Sequence, residues 1–101
     1  MHARVVTVEI QADALPELAR IYQDAVLPAF KGQQGFRGAL LLSDAESRRV
    51  VSITLWESEP DMRAGETSAY FQAQMERVEH FFTAPTRREY FRVESLSAPP
   101  E

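Results

Sequence analysis

The stretch VVSITLW at 50–56 is built almost wholly from β-forming residues, yet it lacks the apolar–polar alternation of a strand with one wet face. Val51, Ile53 and Leu55 share one side, and Val50, Ser52, Thr54 and Trp56 share the other. The run ALLL at 39–42 behaves alike, with Leu40 and Leu42 on one side and Ala39 and Leu41 on the other. A sheet of such strands needs cover on both faces. Helices supply one cover. A second copy packed sheet to sheet, as a C2 homodimer, supplies the other, because a bare apolar face of several hundred Å² is unusual on a monomer. On this reading Val51, Ile53 and Leu55 form the dimer interface. Ser52, Thr54 and Trp56 then face the helices.

The remaining elements fall around these strands. RVVTVEI at 4–10 predicts a first strand. A helix follows, capped by Asp13, with Pro16 in its first turn and an apolar stripe of Leu15, Leu18, Tyr22, Ala25 and Ala29. Pro28 should bend or end it. FRGALLLSD at 36–44 pairs with 50–56 as a hairpin. Ser58 caps a second helix, with Pro60 in its first turn and Glu57, Glu59 and Asp61 near its positive end. Gly65 predicts a break, leaving a short helix at 59–65 and a longer one at 68–82 with the stripe Phe71, Met75, Val78 and Phe82. A last strand covers 88–96, so the domain spans 1–96, and a disordered tail covers 97–101. The order β-α-β-β-α-β predicts an α+β, ferredoxin-like fold with a four-stranded antiparallel sheet.

Composition narrows the function classes. The chain of 101 residues carries a net charge of −4 and no cysteine. The acidic balance speaks against nucleic-acid binding, and cysteine-based catalysis and zinc–thiolate sites are excluded. An RNA-binding module with the same strand order needs aromatics on its third strand, and RRVVSITLW lacks that run. No apolar stretch is long enough to span a membrane, and MHARVVTVEI has no signal-peptide pattern, so the expectation is a cytoplasmic protein. His2 and His80 stand apart from any carboxylate cluster, which predicts no metal site; no bound cofactor is expected either.

Trp56-Glu57-Ser58-Glu59 and the restart Ser68-Ala69-Tyr70-Phe71 resemble the antibiotic biosynthesis monooxygenase family, small dimeric α+β barrels. The loop through Gly35-Phe36 and the closing TAPTRREYFRV are similar as well, so the resemblance spans nearly the whole chain. It implies a cofactor-independent monooxygenase or oxidase acting on a small aromatic, quinol-type substrate. The alternative within the same fold is a non-catalytic small-ligand-binding or stress-related barrel.

The chain departs from the family's characterised branches. An Asn four residues before the Trp is Ser52 here, and a Tyr six after it is Met62. In the haem-degrading branch, a Trp nine after and a His nineteen after are Gly65 and Met75; histidines of the quinol-oxidising branch fall on Gly65 and Tyr70. The substrate-binding candidates are therefore Ser52, Thr54, Trp56 and Tyr70. The first three are expected to line a cavity under the helices, with Trp56 as an aromatic wall and Tyr70 approaching from the broken helix. No catalytic residue is assigned. The faces occupied by Thr7 and Glu9 stay open.

Overall fold

The computed structural model describes residues 1–97; the last residues of the expected tail, 98–101, lie outside it. Four strands form one antiparallel sheet in the order β2-β3-β1-β4: β1 His2–Glu9, β2 Phe36–Asp44, β3 Arg49–Trp56 and β4 Arg87–Arg92. This is the ferredoxin-like α+β arrangement. Direct pairs such as Val6↔Ser52, Val8↔Val50 and Leu41↔Ser52 place Val6, Val8, Leu41, Val50 and Ser52 on one face, under the helices. Thr7 pairs with Val51 and Glu9 with Arg49, which puts both on the open face and answers the register question.

The first helical segment is a composite. Helix α1 (Leu15–Ile21) passes into a π turn at Tyr22–Val26 and then into α2 (Leu27–Lys31). The cause is Pro28, which has no N–H to close a regular turn. The chain widens just before it, and the N–H of Leu27 reaches back five residues to the carbonyl of Tyr22. Pro28 thus neither ends the helix nor is simply tolerated; it reshapes the turn that carries Tyr22. The predicted cap is corrected too. Asp13 sits at φ 67°, and α1 begins after Ala14 without a side-chain cap. Asp tolerates the left-handed region better than most residues, so it serves the turn instead.

The second helical segment also departs from expectation. Helix α3 runs Glu59–Thr67 straight through Gly65, and the break falls at Ser68, which caps α4 (Ala69–Glu76) through the N–H of Phe71. Gly65 is not a helix breaker here. A Cβ at that position would lie 2.6 Å from Cη2 of Trp56, so the glycine lets α3 approach the indole closely. Ser58 caps α3 as expected, accepting from the N–H of Asp61 at 3.3 Å. The chain leaves α4 earlier than expected because a 3₁₀ turn at Glu79–Phe81 redirects it, and Phe82 becomes extended to bridge Ile10. The last strand closes at Arg92 rather than 96.

The core lies between helices and sheet, with Phe30, Trp56 and Met62 its largest fully buried apolar side chains. The opposite face of the sheet is bare in the single chain. Leu40, Leu42 and Phe91 on that face are 56%, 47% and 51% exposed, around half-buried Val51, Ile53 and Leu55.

Candidate functional site

A cavity of about 60 Å³, partly open to solvent, lies between the helices and the sheet. Its floor is Arg4, Val6 and Val8 of β1, Val50 and Ser52 of β3, and Leu41 of β2. Both predicted apolar stripes roof it: Leu18 and Tyr22 from the first helical segment, and Phe71, Met75, Val78 and Phe82 from the second. The walls are almost wholly apolar, so its few polar atoms decide what it can hold.

Two of these are hydroxyls. Tyr22, thrown inward at the start of the π turn, lies 3.0 Å from Ser52 Oγ. The pair has two hydrogens and uses one between its oxygens, which leaves one O–H to donate elsewhere. Burial pushes the Tyr22 phenol above its ordinary pKa of 10.0, against the opposing pull of Ser52 and the Arg4 charge, so it stays protonated at neutral pH.

The third group is Arg4, only 2% exposed. One end of its guanidinium meets Glu66 at 3.1 Å, and the same carboxylate oxygen accepts from the Tyr90 hydroxyl at 2.7 Å. Phe30 and Phe71 lie against the guanidinium, with ring centroids 5.5 and 5.1 Å from its central carbon. Burial lowers the Arg4 pKa while Glu66 raises it back. The buried Nε–H of Arg4 finds no acceptor among the described residues. Among those residues, no carboxylate or imidazole lines the cavity.

Of the four predicted site residues, the structure brings only Ser52 to the cavity wall. Thr54 is 1% exposed, and its hydroxyl accepts from the Trp56 indole N–H at 2.9 Å, so each satisfies the other inside the core. Trp56 is fully buried beneath Gly65, with the edges of Phe30 and Phe36 against it, and it presents no face to a ligand. Tyr70 is 57% exposed and points away, while its neighbour Phe71 turns inward. A strand face shared with Ser52 was too coarse a criterion, because a large aromatic next to a short hydroxyl fills the space the hydroxyl leaves.

Arg4 escaped sequence reading because an arginine near a strand end ordinarily reaches solvent. The available signal was its parity with Val6 and Val8. Tyr22 read as one more member of an apolar stripe.

The sequence model of the family described as "Antibiotic biosynthesis monooxygenase" matches residues 1–77. An uncharacterised protein of Mycobacterium tuberculosis is 31% identical over 64 residues, which is 63% of this chain and 29% of that protein. The chain therefore spans under a third of the curated relatives' length. Among solved structures, a monooxygenase of Streptomyces coelicolor in complex with nanaomycin D superposes with a TM-score of 0.79 at 19% identity, covering 98% of this chain and 92% of that one. A mutant of the cofactor-independent oxygenase SnoaB of Streptomyces nogalater gives 0.78 at 17% identity and 94% of each chain. At these identities the superpositions speak for the fold. With the match over residues 1–77, this chain belongs to the antibiotic biosynthesis monooxygenase family.

Proposed function

We propose that the chain is a cofactor-independent monooxygenase or oxidase that takes a small aromatic, quinol-type substrate into the cavity beside Tyr22 and Ser52, and that it works as a homodimer. The observation that carries the reading is the cavity itself. It is an apolar slot with a hydroxyl pair at its wall, in a chain of the antibiotic biosynthesis monooxygenase family. Its volume bounds the ligand. About 60 Å³ is less than the ~150 Å³ cavity known to accept benzene, so even a one-ring substrate enters only by displacing flexible side chains such as Met75, and larger ring systems require more displacement.

In such chemistry the substrate itself reduces O₂, and the protein supplies desolvation, orientation and hydrogen bonds. For a hydroquinone, two electrons and two protons pass to O₂, giving quinone and hydrogen peroxide. For an activated ring methylene, one oxygen atom replaces the two hydrogens as a carbonyl, and the other leaves as water. The homodimer rests on the open face, where Val51, Ile53 and Leu55 are flanked by exposed Leu40, Leu42 and Phe91.

The test is oxygen uptake with hydroquinone as substrate and no added metal or flavin, with quinone followed by absorbance. Enzyme-dependent uptake that falls at least about tenfold in Tyr22→Phe supports the reading. Saturable binding of hydroquinone without uptake favours the non-catalytic ligand-binding alternative, which draws its support from a cavity wall whose described residues include no carboxylate or imidazole.

A further inference from the structure

Arg4 is costly to bury, and its pairing with Glu66 accounts for only part of it. A guanidinium has five N–H donors in a fixed fork. Glu66 takes one end, and Phe30 and Phe71 crowd around the group. Among the donors left over is the Nε–H, buried, without an acceptor among the described residues, on a side chain that lines the cavity. Arg4 stands two residues along β1 from Val6, which pairs directly with Ser52. Adjacent same-face positions of this kind lie within reach of one ligand group. Its charge also acts on the Tyr22 phenol. One region of an otherwise apolar slot therefore offers a charged donor and a spare hydroxyl, and none of the described lining residues is a base that could remove a proton.

We infer that Arg4 makes this cavity an anion site: its ligand is a single-ring aromatic that arrives already carrying an ionised oxygen, phenolate or carboxylate, which accepts from the Arg4 Nε–H and from the Tyr22–Ser52 hydroxyl pair. The inference rests on the cavity reading above and narrows its substrate class. An ionised ring is also the electron-rich form that can reduce O₂ without a cofactor, and a site lacking a base has to receive it in that form.

The experiment compares three ring compounds of similar size on the native protein by titration calorimetry at about pH 8.5: benzoate, 4-nitrophenolate and the neutral benzamide. One charge-assisted hydrogen bond in a desolvated site should favour at least one anion over benzamide by about tenfold or more. The anion that binds tighter identifies the oxygen the site is shaped for. Arg4→Gln should erase the preference, and Arg4→Lys, which keeps the charge but not the Nε–H, should restore only part of it. The native comparison stands even if a variant fails to fold. Benzamide binding as tightly as both anions overturns the anion inference and leaves the cavity reading intact. Absence of binding by all three overturns both.

Discussion

Gly65→Ala tests the central packing contact of the fold, because two opposing terms meet at that residue. In an ordinary helix interior the change stabilises by roughly 0.5–1 kcal/mol, since glycine loses more backbone entropy on folding. Here the new methyl would lie 2.6 Å from Cη2, 3.1 Å from Cζ2 and 3.2 Å from Cζ3 of Trp56. Whether that clash is cheap depends on whether the indole can yield. It is fully buried, its N–H is held by Thr54 at 2.9 Å, and Phe30 and Phe36 pack against it edge-on. Overpacking a held side chain costs typically about 1–3 kcal/mol. The net expectation is a loss of about 1 kcal/mol or more, a drop in Tm of about 4–8 °C for a domain of this size. Denaturant unfolding of the native chain and the Gly65→Ala variant measures it. Repeating the substitution in a Trp56→Phe background removes the benzo-ring atoms that clash, and there Gly65→Ala should become neutral or stabilising. A Tm that rises in the native background, or an equal loss in both, would refute the account of why α3 carries a glycine.

Ile53→Lys places a charge in the middle of the open sheet face and should shift the proposed dimer to monomer in sedimentation at micromolar concentration; an unchanged dimer would exclude this face as the interface. Alkaline pH should destabilise the fold through Tyr22. Burial raises its pKa above 10.0, so its contribution is fully present below the unfolded value and is lost as pH climbs through the folded one. The denaturant midpoint should therefore fall above about pH 10, and less steeply in Tyr22→Phe, with a residual slope from Tyr90, whose pKa is also raised. Identical slopes in the two proteins would overturn the assignment.

Element order was readable because burial imposes periodicity. Leu15, Leu18, Tyr22, Ala25 and Ala29 recur at helical spacing, and all lie in the core or packed against it. Phe71, Met75, Val78 and Phe82 did the same, even though the helix expected to carry them stops at Glu76. The stripe survived because a 3₁₀ turn and an extended residue kept those side chains on one side. Gly65 did not break its helix, and Pro28 distorted its own without ending it. At Gly65 the local meaning was overridden by the indole of Trp56 on another element, whereas at Pro28 it was absorbed by a widened turn in which the Leu27 N–H reaches the Tyr22 carbonyl.

The site was less legible than the fold, since no local pattern separates a residue that lines a cavity from one that fills it. Ser52 and Thr54 are the same kind of residue on the same strand face. Thr54 is taken up by the Trp56 N–H two residues on, whereas Ser52 meets Tyr22 from the other layer. The difference is made by Trp56, which engages Thr54 inside the core, while Ser52 remains on the cavity wall. Arg4 follows the same logic in reverse: a charged residue remains in the interior because Glu66, Tyr90, Phe30 and Phe71, from four other elements, converge on it. The polar chemistry of this cavity is therefore a property of the contact between layers. A substitution on either layer, such as Glu66 on α3 or Tyr22 on the π turn, alters it without touching the strands that carry Ser52 and Arg4.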